Sequence, residues 1–170
     1  ESKLYVNDAI EFAAYYIAAK ADRLYTKALA EEAAGKPAVA QQYLNQAVDM
    51  LLNVDKLLVS HPLYRLEEWV NLARNSGTTV AEKDAYEANA KRLITTWGGF
   101  QEDYAARFWS GLIKDYYIPR MKIYFSKQRD NLDNWEEEWI NTPWNNTTVP
   151  FDNPLDMAVE LVQKVKEIKN

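Results

Sequence analysis

Three carboxylates that could take part in acid–base chemistry, Glu102, Asp103 and Asp115, lie inside one stretch of the chain, residues 93–125. Two carboxyl groups on either side of a sugar-sized space are the minimum equipment for hydrolysing a glycoside. Arg107 follows Asp103 by four residues, the spacing of an ion pair on a helix, and the sequence gives no distance between the carboxylates. We therefore expect structural roles for all three.

The same stretch is rich in aromatic residues and glycines. Nine of the chain's 22 aromatic residues (6 Trp, 11 Tyr and 5 Phe) fall between Trp97 and Phe125, and residues 93–125 hold three of the five glycines. Tyr and Trp carry a polar group on a large apolar ring, so a dense cluster of them suits a surface that is partly buried and partly solvated. We predict that residues 93–125 form a contact surface.

Trp97 ends a predicted amphipathic helix, directly before Gly98 and Gly99. At this position the indole could turn outward over a neighbouring cleft, where an exposed aromatic face stacks well on the apolar face of a sugar ring. The alternative is that Trp97 closes the helical core. The pattern alone leaves both possibilities open.

Other polar residues indicate no metal or cofactor site. His61 stands alone, just before Pro62 at a predicted helix start, so we expect a capping or surface histidine. Residues 130–134 superficially resemble a calcium loop but lack the glycine and the distal glutamate of that motif. The three glutamates at residues 136–138 are predicted to form a solvated helix face.

Apolar residues recur every three or four positions through most of the chain, which predicts an all-α fold. We expect a multi-helix bundle of about six to seven helices. The predicted helices are 4–34, 38–60, 62–75, 80–97 and 103–118, a helical continuation over 120–132, a short helix after 133, and 155–169. Thr79 and Glu82 have capping-box form, and Pro119 should kink or end its helix. Residues 133–153 hold three tryptophans and two prolines, so an irregular Trp/Pro-rich arm should precede the last helix.

Length and charge exclude several classes of protein. A chain of 170 residues is expected to be a single domain, and its net charge of −5 argues against nucleic-acid binding. No apolar run approaches the roughly 18 residues that a membrane span needs. Without cysteines there is no disulfide and no thiol catalysis. Because the chain starts at Glu1 rather than at a methionine, we expect it to be cut from a longer polypeptide.

Several blocks of residues follow one another in an order that is fairly specific. They are Trp69, Ala73 and Arg74; Tyr86, Glu87 and Asn89; residues 93–98; Asp103, Tyr104 and Ala105; and Gly111, Leu112, Tyr116, Tyr117, Pro119 and Arg120. In this order they resemble the C-terminal domain of the α-N-acetylglucosaminidases, glycoside hydrolase family 89, over nearly the whole chain. Two features depart from the family pattern: a shorter loop after Gly98, and Met121 in place of an aromatic residue.

The resemblance implies an enzyme that removes terminal α-linked N-acetylglucosamine from heparan-sulfate-type or mucin-type glycans with retention of configuration. It implies that the catalytic glutamates belong to a preceding (β/α)₈ barrel, so no catalytic residue is expected in this chain. The helical domain, residues 1–170, would pack on that barrel and help wall the substrate cleft, with the glycan at the domain interface. A secreted, periplasmic or lysosomal location would follow.

Four residues carry site predictions. Trp97 and Tyr104 are candidates for substrate contact, while Arg120 and Asp115 are predicted to be structural, with Arg120 tying together carbonyls or a carboxylate such as Asp115 across the break at Pro119. A different class of protein stays open as an alternative, namely a free-standing helical module that binds proteins or glycans without catalysis. Such a module should show a closed polar surface or one concave groove, whereas a domain cut from an enzyme should expose a large apolar patch.

Overall fold

The computed structural model describes residues 2–97, 107–127 and 129–168. Within these ranges the chain forms seven α-helices and no strand, which confirms the predicted all-α class. The helices are α1 (Lys3–Ala33), α2 (Pro37–Leu58), α3 (Leu66–Asn75), α4 (Val80–Leu93), α5 (Ile118–Phe125), α6 (Leu132–Asn141) and α7 (Pro154–Lys166). A π-helix (Ile113–Tyr117) leads into α5, a 3₁₀ turn (Arg129–Asn131) precedes α6, and the predicted irregular arm covers residues 142–153.

The chain divides into two compact units, Glu1–Tyr64 with Thr148–Asn170, and Arg65–Thr147. In the first unit α1 and α2 pack against each other and α7 packs against both. Gly35 has a φ of 75° in the short turn between α1 and α2, a conformation that glycine adopts without strain. The contact is rich in small side chains, which lets two helices lie close together. The fully buried alanines are Ala14, Ala21, Ala28, Ala40 and Ala47.

The second unit is built around aromatic rings. Its core holds Leu66, Val70, Ile94, Leu112 and Tyr116. Partly buried rings surround this core: Trp69, Trp109, Tyr117, Trp135, Trp139 and Trp144. Because indole and phenol groups carry polar atoms, such a core has to provide hydrogen-bond partners for them.

The third helix begins at Leu66, not at Pro62 as predicted. Arg65 has an extended backbone and forms an isolated β-bridge with Ser110, and the Leu66 N–H donates to the Ser110 carbonyl at 2.9 Å. This pairing joins segments more than 40 residues apart in sequence, so local helical signals could not reveal it. It delays the helix by one turn.

The predicted helix 103–118 is wrong over residues 107–110, which are not helical, and residues 103–106 lie outside the described ranges. Ser110 belongs to the bridge with Arg65, and Gly111 has a φ of 91°, so the chain turns there before the helix starts. Pro119 does not end the helical structure, which runs through it, so this part of the prediction is wrong; the predicted kink stays a prediction. The preceding turn widens to a π-helix in which the Ile118 N–H donates to the Ile113 carbonyl, five residues back.

Candidate functional site

The π-helix and α5 present three polar side chains, Asp115, Tyr116 and Arg120, to α6 and the arm. The Tyr116 hydroxyl donates to Glu136 Oε1 at 2.9 Å, and Arg120 Nε donates to the same oxygen at 2.6 Å. Asp115 accepts hydrogen bonds from Trp144 Nε1 at 3.0 Å and from Asn146 Nδ2 at 2.9 Å. Arg120 and Asp115 therefore each have partners that the sequence did not indicate.

The prediction of a solvated face at residues 136–138 is wrong for Glu136, which is completely buried. Its Oε2 has no hydrogen-bond partner within the described ranges, while Oε1 takes both contacts from Tyr116 and Arg120. A buried carboxylate of this kind is stable only while its cationic partner stays in place. A signal was available in the sequence, because Glu136 lies four residues from both Leu132 and Ile140, the buried apolar residues of α6.

A second buried carboxylate, Glu87, links three segments of the same unit. It pairs with Arg74 at 2.6 Å and with Lys91 at 3.3 Å, and it accepts a hydrogen bond from the Trp144 N–H. Hydrogen bonds from the Arg74 guanidinium to Asp84 and then to Glu87 raise the pKa of Arg74. The network thus fastens α3, α4 and the start of the arm to one another.

Lys91 is the most deeply buried cation in the described part of the chain, with 0% of its surface exposed. Its ammonium donates to the carbonyls of Trp139 and Thr142 and lies 4.9 Å from the centre of the Trp139 ring. Burial lowers the pKa of Lys91, and the nearby Glu87 carboxylate opposes that shift. All of its contacts with α6 and the arm are to backbone carbonyls or a ring, which no sequence pattern indicates.

The aromatic rings of the unit pack in edge-to-face, tilted and stacked arrangements. Tyr116 lies 4.8 Å from Trp139 and 5.5 Å from Trp135, measured between ring centres. On the other side, Trp69 donates its Nε1–H to the Ala90 carbonyl at 2.8 Å and meets Trp109 edge-on at 6.1 Å. The hydrogen bond of Trp69 ties α3 to the last turn of α4.

Trp97 lies at the surface of this unit, with 45% of its area exposed. α4 ends at Leu93, one turn earlier than predicted, and residues 94–97 form turns in which Thr95 and Thr96 are buried. The Trp97 N–H donates to the Arg92 carbonyl at 2.7 Å, and its φ is 59°. A bulky residue with positive φ is a genuine outlier, and such strain is concentrated at functional sites.

Several sequence-predicted residues fall outside this arrangement. Tyr104, Glu102 and Asp103 lie outside the described ranges. His61 belongs to the first unit and is buried rather than on the surface; its Nδ1 accepts a hydrogen bond from the Leu63 N–H at 3.2 Å. Its ring meets Tyr64 edge-on, so it caps a turn locally.

The polar residues described above hold side chains and backbone segments of this unit in position. The buried carboxylates Glu87 and Glu136 are engaged by cations and ring hydroxyl or backbone donors. The searched ranges contain no cluster of three His, Cys, Asp or Glu residues that could hold a metal ion. In the described part of this unit, the Trp97 indole is a large aromatic group that is 45% exposed, so a ligand could contact it.

Comparison with known families gives one match that spans both units. The family described as the alpha-N-acetylglucosaminidase (NAGLU) C-terminal domain matches residues 1–164. Human alpha-N-acetylglucosaminidase is 33% identical over 88 residues, which cover 51% of this chain and 12% of the human protein.

Solved structures show the same fold. A family 89 glycoside hydrolase from Clostridium perfringens, in complex with 2-acetamido-1,2-dideoxynojirmycin, superposes with a TM-score of 0.82 at 22% identity, over 98% of this chain and 21% of that one. CpGH89 from the same organism, in complex with its substrate GlcNAc-alpha-1,4-galactose, also gives 0.82, at 21% identity over 95% of this chain and 21% of that one. The chain thus spans about a fifth of these relatives. In the described ranges, no helix is long and apolar enough to cross a membrane.

Proposed function

Since this chain belongs to the family of alpha-N-acetylglucosaminidase C-terminal domains, we propose that it is the C-terminal helical domain of a glycoside hydrolase. The whole protein removes terminal α-linked N-acetylglucosamine from glycans with retention of configuration. The match over residues 1–164 is the observation that carries this proposal. It favours an enzyme domain over a free-standing helical module.

We propose that the catalytic carboxylates lie outside this domain. Retaining glycosidases need two carboxyl groups about 5 Å apart, one as nucleophile and one as acid and base. In the described ranges, the buried Glu87 and Glu136 are held in contacts that stabilise the fold. The family resemblance implies that the catalytic pair lies in a (β/α)₈ barrel of the same polypeptide, on which this domain packs.

Trp97 is the residue of this chain that reaches the substrate cleft between domain and barrel. Its indole is exposed, and its backbone is held in a strained conformation that a core role does not require. N-acetylglucosamine offers an apolar ring face and an acetyl methyl group, both of which an indole can cover. Tyr104, seven residues further on, is the second candidate for this wall of the cleft.

Replacing Trp97 by alanine in the full-length enzyme tests this role. A residue that positions substrate contributes about 1–3 kcal/mol, so kcat/KM should fall roughly ten- to a hundredfold while Tm changes little. Tyr86→Ala is the matched control, because Tyr86 is an aromatic residue of α4 with the same 45% exposure. It should leave kcat/KM unchanged.

The competing core role makes the opposite prediction. A buried tryptophan replaced by alanine leaves a cavity that costs roughly 3–5 kcal/mol of stability. A Trp97→Ala enzyme that melts much earlier, but whose folded fraction has normal kinetics, would place Trp97 in the core.

The location of the whole protein follows from its proposed substrate. Glycans of this kind are processed in secreted, periplasmic or lysosomal compartments, and we propose one of these for the enzyme. Fractionation of the source cells, with activity on an aryl α-N-acetylglucosaminide as the marker, tests this: activity that stays in the cytosolic fraction would contradict it.

A further inference from the structure

The first half of α1 is apolar on two opposite sides. Ile10, Ala13, Ala14 and Ile17 are buried against the rest of the first unit. On the other side, five large side chains are exposed: Leu4 (74%), Tyr5 (57%), Phe12 (74%), Tyr15 (49%) and Tyr16 (38%). At 3.6 residues per turn, these five fall within an arc of roughly 120°. We call them the α1 aromatic face.

The α1 aromatic face exposes more contiguous apolar area than scattered surface residues do. A fully covered aromatic side chain buries roughly 150–250 Å², so the exposed parts of the four rings and Leu4 together offer roughly 500 Å². The largest apolar patch on a typical monomer is about 300–600 Å² and often marks an interaction site. One side of a standard protein interface covers about 800 Å², so this face alone supplies more than half of one.

The composition of the face indicates the kind of partner. Three of its five members are tyrosines, and the exposed Asp8 lies among them. Homodimer interfaces are more apolar than ordinary surface, whereas interfaces between domains of one chain are more polar than obligate interfaces. A face of tyrosines around a carboxylate therefore fits a neighbouring domain that offers apolar side chains and a cation or N–H donors opposite Asp8.

The relatives contain protein outside the matched region that could cover such a face. The match takes up 21% of the Clostridium perfringens chain and 12% of the human protein. A domain on the same polypeptide is present at high effective concentration, so a half-polar face is enough to hold it. We propose that the α1 aromatic face is a docking surface for the catalytic domain of the same polypeptide; this inference rests on the proposed function and adds a contact remote in sequence from residues 93–125.

Photo-cross-linking in the full-length enzyme tests the inference. A benzophenone amino acid is placed at Phe12, and at Val159 as the control, since Val159 is 52% exposed on α7 of the same unit. We expect Phe12 to give an intramolecular cross-link to a peptide of the catalytic domain, with a yield that does not depend on protein concentration. Val159 should give none.

Two results would overturn the inference. One is a cross-linked species of twice the mass, which would show that a second copy covers the face. The other is no cross-link from Phe12. Hydrolysis of an aryl α-N-acetylglucosaminide by the unmodified enzyme is measured in parallel, so that an active enzyme without the cross-link refutes the docking surface alone, and an inactive enzyme with the cross-link refutes the activity alone.

A pair of substitutions provides a second readout. Phe12→Glu should open the contact and raise the rate of protease cleavage between the two domains several-fold, while Phe12→Leu should leave it near the wild-type rate. Because Phe12 is 74% exposed, neither change should unfold the helical unit itself. Equal cleavage rates for both variants and the wild type would contradict the inference.

Discussion

At the scale of single residues, the most informative pair is Arg120 and Glu136. The Glu136 side chain is fully buried and the Arg120 side chain is 24% exposed, with 2.6 Å between Arg120 Nε and Glu136 Oε1. Breaking a buried ion pair by removing one partner leaves an uncompensated charge, which costs more than the pair itself contributes. Arg120 therefore acts on stability through Glu136 and, beside it, Tyr116.

Arg120→His is expected to lower the stability of the domain by about 3 kcal/mol. In the full-length enzyme Tm and yield should fall, while kcat/KM of the correctly folded molecules stays near normal. Arg92→His is the matched control, because Arg92 makes a similar ion pair with Glu137 in which both side chains are partly exposed. It should cost under about 1 kcal/mol. An Arg120→His enzyme with normal Tm and almost no turnover would make Arg120 a site residue.

Two glycines with positive φ differ in the space around them, so their substitution separates the cost of backbone strain from the cost of packing. At Gly111 (φ 91°) an added Cβ would come within 2.9 Å of the Leu66 Cβ and 3.1 Å of a Trp144 ring carbon. At Gly35 (φ 75°) it would meet nothing within 4 Å. Gly35→Ala should therefore cost about 1–2 kcal/mol for its backbone alone, and Gly111→Ala about 1–3 kcal/mol more. Equal losses in chemical denaturation would contradict the packing account.

At the scale of elements, the start of α4 was fully predictable because its signals are local. Thr79 accepts from the Glu82 N–H, and Glu82 accepts from the N–H groups of Thr78 and Thr79, which is the capping box read from the sequence. The hydrogen bond from the Thr78 hydroxyl, followed by those from the backbone, lowers the pKa of Glu82 to about 2. The folded state therefore favours the ionised carboxylate.

The stability that Glu82 contributes should depend on pH in one direction. Because its folded pKa is below the ordinary value of 4.5, the contribution is complete above about pH 4.5 and is lost as the pH falls toward about 2. Glu82→Gln, which mimics the protonated side chain, should melt earlier than the wild type at pH 5 to 7. The difference in Tm should shrink progressively below pH 4.5. A difference that is constant from pH 7 to pH 2 would contradict this assignment.

Other elements were beyond the reach of the sequence because long-range contacts decide them. The bridge of Arg65 with Ser110 delays α3 and shortens the predicted fifth helix. The π-turn before Pro119 accommodates a residue without an N–H, so that helical structure continues past the proline. Glu87 and Lys91 have the four-residue spacing of an ordinary helix ion pair, yet both are buried under the arm.

The sequence predicted only the part of the candidate site that depends on local signals. The two glycines after Trp97 indicated a helix end near this residue, although α4 ends one turn earlier, at Leu93. The positive φ and the exposure of Trp97 could not be anticipated, because they depend on how Thr95, Thr96 and the aromatic core fix the preceding turn. The substrate contact of Trp97 stays a prediction until the Trp97→Ala enzyme is measured.

At the scale of the whole molecule, the two compact units are both part of one family domain. The first unit contains both ends of the chain and the second is continuous, while the family match runs through both. A single domain, expected from length, stays a prediction that cooperative unfolding would test. We propose that the second unit faces the substrate cleft and that the α1 aromatic face of the first contacts the catalytic domain.

The central claim is that this chain belongs to a glycosidase without supplying its catalytic pair. Its most direct test is hydrolysis of an aryl α-N-acetylglucosaminide by the full-length protein and, side by side, by purified residues 1–170 whose helical content is verified by circular dichroism. The account predicts turnover with retention of configuration in the full-length protein and none in the folded fragment. Turnover by the fragment that disappears on substitution of Glu102 or Asp103, or a folded full-length protein without any turnover, would contradict it.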